Sequence, residues 1–517
     1  MTASSAEPAR AVIPPATSSS TGIGGAWRVG VVLVVALLTL LFSGNPLYAM
    51  QVVMYATIAW TVVKVPLRWS LVGLVSLAIF ADMTPIDPTT NKLYESIARP
   101  VQELLLENLN KLLDIEALKF SGMEVALLLL AFIALIRTLS SQSVDQKNRV
   151  PSARILKFAF MASLAAALGL EVLGALRGGD IRQSFWQARQ LFWMPVLGLL
   201  FGYALRGARD LRVLLGALTL VSSLKIAVGA YFVFAVARPA AVVPATATSH
   251  MDTVLFVSVL ALWAAVVVDR PTLLRILTAS LVWAWTFVGL VLNNRRTALV
   301  SLVITLFLLF VTLTQRTRRR IMWGVAAAMP FLAVYLRLGK NRTGGVFKVA
   351  AQFWSVFLQK DSSSITRDIE NFNLVVTLKQ HLIAGSGWGH EYVELMKGDD
   401  ISAAFPQYRY IAHNSVLWLL SIGGWIGFTL MWMPIVVGIY LAARAQRNAR
   451  SHAERVGAYA ALAITTCYLL QAWSDMGVTS WTTSAMLACS LVVAGKVAVA
   501  NGGWPHRDVD IAYSPTV

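Results

Sequence analysis

Cysteine is nearly absent: the 517 residues hold two, Cys467 and Cys489, and both lie inside apolar stretches. That argues against a disulfide framework or a cysteine metal centre and leaves both as small packing residues. Charge is scarce as well, at 14% of residues against roughly 25% in soluble domains, while 57% are hydrophobic and mean hydropathy is +0.65. A soluble globular fold is thereby excluded, and the chain reads as an all-α polytopic membrane protein. Acidic residues are the rarer sign, 26 against 44 basic, which gives a net charge of +18 and a pI near 10.1. In a membrane protein such an excess fixes topology and meets anionic lipids or phosphates, so membrane lipids and not nucleic acid are the expected partners.

Other signals are missing too. The first 25 residues have no apolar core and are rich in Ser, Thr, Ala and Pro, so they read as a disordered cytoplasmic tail and not as a cleaved signal. No His/Cys/carboxylate cluster with ligand spacing occurs, and Asp368 and Glu370 would point to different faces of a helix, so neither a metal nor a cofactor is expected. The run "GSGWGHEY" from Gly385 follows no strand-then-helix pattern, so it reads as a turn shaping a loop and not as a nucleotide site.

What is present is apolar sequence in span-length pieces of about 20 residues. Fourteen such pieces start near Trp27, Pro46, Pro66, Gly122, Leu156, Arg189, Leu211, Thr253, Leu273, Thr297, Ile321, His413, Gly457 and Thr479. The basic connectors Lys64 to Arg68, Arg137 to Lys157, Arg206 to Arg212, Arg270 to Arg275, "TQRTRRR" and "RAQRNARSHAER" then share one side, which the positive-inside bias makes cytoplasmic. The layout is a tail at 1–25, spans one to eleven within 26–336, a large periplasmic loop containing helices at 337–412, spans twelve to fourteen within 413–500, and a cytoplasmic tail at 501–517. Within 82–121, "VQELLLENLNKLLDIEAL" has the spacing of an amphipathic helix lying at the periplasmic interface.

Several arginines then face outward, against that bias. Arg182 and Arg189 precede the sixth span in "RGGDIRQSFWQAR", Arg295 and Arg296 open the tenth in "NNRRTALVS", and Arg367 lies in "SSSITRDIENF" of the long loop. A single arginine at a span end can be a snorkelling anchor. Adjacent guanidinium groups repel unless an anion joins them, and their forks suit phosphate oxygens, so a pyrophosphate-linked lipid is the anion expected at that depth. His413, followed by Asn414, stands at the mouth of an apolar run broken by Gly423, Gly424 and Gly427. It reads either as a structural helix-start histidine or as a neutral imidazole able to take a proton from an acceptor hydroxyl. The glycines permit a break or close packing that would hold it over a cavity.

In order and rough spacing, "RRTALVS", "SSSITRDIENF", "HLIAGSGWGHEY" and "HNSVLWLLSIGGWIG" resemble the O-antigen ligase and O-antigen polymerase superfamily over about residues 285–430. The resemblance implies an inner-membrane glycosyltransferase with its active site on the periplasmic face. Such an enzyme moves a glycan from undecaprenyl pyrophosphate to a sugar hydroxyl, without a nucleotide sugar. It also implies that Arg296, Arg367 and His413 are the catalytic positions, with inversion at the anomeric carbon and no metal. Arg295, Arg189, Arg182, Asn414 and His390 are candidates for substrate binding, Arg295 and Arg189 at the pyrophosphate and His390 at the acceptor. The implied acceptor is the lipid A core in a ligase of lipopolysaccharide biosynthesis, or another lipid-linked glycan in an O-antigen or exopolysaccharide polymerase. A lipid-linked oligosaccharide flippase stays as a different class. Against it stand the absence of a visible repeat, the few midspan charges, chiefly Glu171 and Lys225, and polar sequence concentrated in one loop.

Overall fold

The computed structural model describes residues 23–44, 65–82, 98–110, 119–139, 150–241, 246–342, 347–358, 362–398 and 407–505, with isolated positions between 49 and 56. The chain divides into two compact units, residues 1–66 and 67–517. In the first, α1 (Ile23–Ser43) is an apolar helix with Leu41 and Phe42 largely exposed.

The second unit carries the rest. Its helices are α2 (Leu67–Ala81), α3 (Arg99–Leu105), α4 (Gly122–Leu139), α5 (Arg154–Leu176), α6 (Ile181–Ala204), α7 (Leu211–Tyr231), α8 (Asp252–Asp269) and α9 (Leu273–Asn293). They continue as α10 (Arg296–Thr312), α11 (Gln315–Gly339), α12 (Lys348–Leu358), α13 (Ser362–Gln380), α14 (Ser415–Asn448), α15 (His452–Ser474) and α16 (Trp481–Ala500). Local chemistry sets many of the starts. Asp180 caps α6 by accepting from the Arg182 and Gln183 amides at 2.7 and 3.2 Å. Ser451 and Glu454 form a reciprocal capping box at α15, and Asn414 Oδ1 accepts the Leu417 amide of α14 at 3.1 Å.

Among the described residues, eight helices are long and apolar enough to cross a membrane: α5, α7 with its flanking turns, α8, α9, α11, α14, α15 and α16. Three shorter apolar helices lie at Gly30–Phe42, Leu67–Ala81 and Arg296–Thr312, so eleven of the fourteen expected spans meet a helix of that kind. Of the others, the span near Pro46 lies mostly outside the described residues, and those near Gly122 and Arg189 correspond to α4 and α6. The apolar window of α16 is 89% buried and that of α11 0%, which sets the first at the centre and the second at the edge. Small residues let the central helices approach: Ala460 and Ala463 of α15 pack with Ala261 and Ala265 of α8, while Tyr459 donates to the Thr305 carbonyl at 2.8 Å.

Three expectations are refined. The amphipathic helix expected within 82–121 is described as the short α3, with Leu104 and Leu105 buried, and residues 83–97 and 111–118 lie outside the description. The sixth helix starts at Ile181, capped by Asp180, so Arg189 belongs to the body of a helix and not to the segment before it. The segment 337–412 contains the end of α11, then α12 and α13, and then extended and turn structure from His381.

The glycine-broken stretch has a specific geometry. Gly424 sits at φ 56°, ψ −168° inside α14, a conformation that only glycine adopts readily. The backbone groups freed by this break are taken up by the loop after α13: the Gly387 amide donates to the Ile422 carbonyl at 3.0 Å, and the Trp425 and Ile426 amides to Leu382 and Ile383 at 3.0 Å. Contact is backbone to backbone, since a Cβ on Gly424 would lie 2.4 Å from the Gly385 nitrogen. On its other side the loop is anchored to α5 by Trp388, whose amide and indole donate to the Leu170 and Ala167 carbonyls at 3.1 and 2.9 Å. The glycine-rich run is therefore a wedge that holds the break in α14 open and satisfied.

Candidate active site

His413 precedes the capping residue of α14, and its setting comes from α13. Arg367 and Glu370 are three residues apart there and share a helical face. The buried Glu370 carboxylate accepts the His413 amide at 3.1 Å and lies 3.2 and 3.3 Å from the ring Nδ1. With Nδ1–H donating to the carboxylate, Nε2 is left as the position that takes or gives a proton. The hydrogen bond to Glu370 raises the pKa of His413 above its ordinary 6.5, outweighing burial and the nearby charge of Arg367. The imidazole remains 24% exposed, so it is reachable.

Arg295 is at the N-cap position of α10, after the left-handed Asn294 that ends α9. Its Nη1 lies 3.9 Å from Asp475 Oδ2, and its Nε is buried without a hydrogen-bond partner among the described residues. Burial lowers its pKa, Asp475 opposes that, and Arg367 adds to it, so the charge of Arg367 bears on both Arg295 and His413. Asp475 ends α15, is 5% exposed, and has His250 Nδ1 at 3.4 Å. Burial alone would raise its pKa, but His250, Arg295 and the Met476 amide hold it at about 2, a firmly ionised carboxylate. The Ser415 hydroxyl donates to the Asp475 carbonyl at 3.0 Å, which ties the start of α14 to the end of α15.

The fold thus brings together Arg295, Arg367 and His413 from the sequence candidates, and Arg296 follows as the first residue of α10. The others are held elsewhere. Arg189 is buried, with Nε donating to Glu124 Oε1 at 2.6 Å, Nη2 to Glu124 Oε2, and Nη1 to Asn108 at 2.9 Å. Arg182 is exposed at the start of α6. His390 packs at the α5–α6 turn, its carbonyl accepting from Gln187 at 3.2 Å while its Nε2 is buried without a hydrogen-bond partner among the described residues. Asn414 uses its amide oxygen as a helix cap, and its Nδ2 is buried with no partner among the described residues.

Glu370, Asp475 and His250 were not singled out from sequence as site residues. For Glu370 a signal existed, because it falls one helical turn after Arg367. For Asp475 and His250 no local pattern marks them. Beside the Glu370–His413 pair, a pocket bordered by Thr366, Asn373, Tyr392 and Tyr408 has about 20 Å³, room for a water molecule but not a sugar. Burial, reinforced by the Glu370 charge, pushes the Tyr392 hydroxyl pKa well above its ordinary value, so it stays a neutral donor.

A helical membrane protein with a polar cluster at one end of its long helices, where guanidinium groups meet a carboxylate-oriented histidine, is thus defined. Residues 279–432 match the protein family described as O-antigen ligase. That stretch begins within α9 and ends beyond the Gly424 break, and it contains Arg295, Arg296, Arg367, Glu370, His390 and His413. The resemblance to the O-antigen ligase superfamily, whose members are glycosyltransferase-like enzymes of bacterial membranes, is thereby supported from two directions. No curated protein sequence matches the chain.

Proposed function

We propose that the protein is an inner-membrane glycosyltransferase with a periplasmic active site, moving a glycan from undecaprenyl pyrophosphate to a sugar hydroxyl in the manner of an O-antigen ligase. The observation that carries this reading is the Glu370–His413 pair within the field of Arg367, whose charge also bears on Arg295. The acceptor hydroxyl attacks the anomeric carbon on the face opposite the leaving group. The bond from that carbon to the pyrophosphate oxygen breaks, its electron pair goes to the pyrophosphate, and the hydroxyl proton goes to His413 Nε2. Glu370 positions the imidazole and stabilises the imidazolium that forms. Arg296 and Arg367, with the unmatched Nε–H of Arg295, neutralise the growing charge on the pyrophosphate, so the step needs no metal and inverts the anomeric centre.

The test is a glycan profile of a null strain complemented with wild-type or His413→Ala protein, covering finished surface glycan and the undecaprenyl-linked pool. With His413→Ala, long polymer stranded on the carrier beside bare lipid A core is expected. Single repeat units on carrier and core would instead make the protein a polymerase. A normal profile with the variant would remove His413 from the chemistry.

A further inference from the structure

At the opposite end of the long helices from His413, a groove of about 1100 Å³ opens between α2, α7, α8, α15 and α16. This exceeds the roughly 300–1,000 Å³ of ordinary small-ligand sites. Its mouth carries five arginines, Arg209, Arg212, Arg270, Arg275 and Arg450, contributed by the connections α6–α7, α8–α9 and α14–α15 together with the helix starts beside them. The carboxylate that lines the same space, Glu454, is engaged by the Arg450 and Ser451 amides at 2.8 and 3.5 Å, and neighbouring Asp269 is held by Arg455 and His452. The mouth is therefore strongly positive. Deeper, the walls are apolar, with Val75, Leu215, Trp263, Ile464 and Met486 among them. Along α16 the groove runs from Ala500 to Ala485, about 22 Å at 1.5 Å per residue, which reaches beyond the half-thickness of a hydrocarbon core of about 30 Å.

We propose that this groove binds an anionic glycerophospholipid of the leaflet on that side, with its phosphate among the arginines and its acyl chains along α7 and α16. Charge complementarity selects the headgroup, and the groove is long enough to take the full length of an acyl chain from one leaflet. Gly216 of α7 supports the assignment of the chains: it lines the groove, and among the described residues a Cβ there would meet nothing within 4 Å. The inference does not depend on the donor chemistry at the other end.

Native mass spectrometry of the purified full-length protein, loaded with phosphatidylglycerol or with phosphatidylcholine of identical chains, tests it. Phosphatidylglycerol should be retained preferentially. The exposed double variant Arg212→Gln/Arg270→Gln should lower that retention by roughly tenfold or more. Gly216→Phe, which fills the space without changing charge, should reduce retention of both lipids. Equal retention of the two lipids, or wild-type retention of phosphatidylglycerol by both variants, would overturn the proposal. So would displacement of phosphatidylglycerol by a polyprenyl phosphate at equal concentration.

Discussion

Arg189 and Arg295 each face a carboxylate almost wholly withdrawn from water, Glu124 at 0% and Asp475 at 5% exposure. Around Arg189 each guanidinium nitrogen is engaged: the guanidinium is bidentate to Glu124, Asn108 takes a further N–H, and the Trp193 indole and Ser121 amide complete the carboxylate at 2.8 and 2.7 Å. Lys225 is similar, fully buried and donating to Asp252 and to the Ile79 and Asp82 carbonyls at 2.5, 2.8 and 2.7 Å. Arg295 stands 3.9 Å from its carboxylate, is 22% exposed, and keeps an Nε–H without a partner among the described residues. A pair in which every guanidinium nitrogen is bonded within the fold joins helices. The other leaves the Arg295 Nε–H available to an anion, within the field of the same Arg367 and Asp475 that act on the reachable imidazole.

That contrast is broken most decisively at His413. His413→Ala should lower transfer by about 10²–10⁴-fold while the melting temperature of the purified protein stays near wild type. Wild-type turnover by this variant would put the histidine in the same structural category as the buried pairs.

Arg189→Ala should do the reverse. Leaving Glu124 buried and unpaired costs about 3–5 kcal/mol, read as a lower melting temperature and reduced membrane yield, with the folded fraction retaining its turnover. A variant of normal stability that fails to bind donor would move Arg189 into the site.

Glu370→Gln sharpens the comparison through pH. Glu370 raises the His413 pKa, so the protonated imidazole is favoured by the fold. That stabilisation is complete below 6.5 and is lost as pH rises through the raised folded value. Transfer, which needs the neutral ring, should therefore rise with pH along a limb centred above 6.5. Glu370→Gln should move this limb toward lower pH and reduce the plateau by roughly 10–100-fold. An unmoved limb would separate Glu370 from the titration.

The smallest effect is expected for Arg295→Lys, which keeps the charge but not the planar fork. A loss of about tenfold, mostly in donor affinity, is expected, with stability unchanged. No change in donor affinity would make Arg295 an interfacial anchor.

Much of this was legible along the chain. Apolar periods located the helices, the glycines after His413 marked a break in α14, and the glycine-rich run before it was a shaping turn, because each depends on neighbouring residues. The sixth helix begins eight residues before the apolar run near Arg189, because the Asp180 cap sets its start while "IRQSFWQAR" is polar. Nothing near Arg189 in the chain marks its partner, because Glu124 lies 65 positions earlier.

By itself the sequence determined the solvent of this protein, its helical character, and the residue types available at one end: a run of arginines and a histidine at a span mouth. These follow from composition and short spacing, which act within a turn or two of helix. The tertiary structure decided which charges face each other. Glu370 reaches His413 across 43 positions, and Ser415 and Asp475 meet across 60. Such pairings arise where helices pack, and whether an arginine becomes a staple or an open site is set by the carboxylates and carbonyls that packing brings within reach.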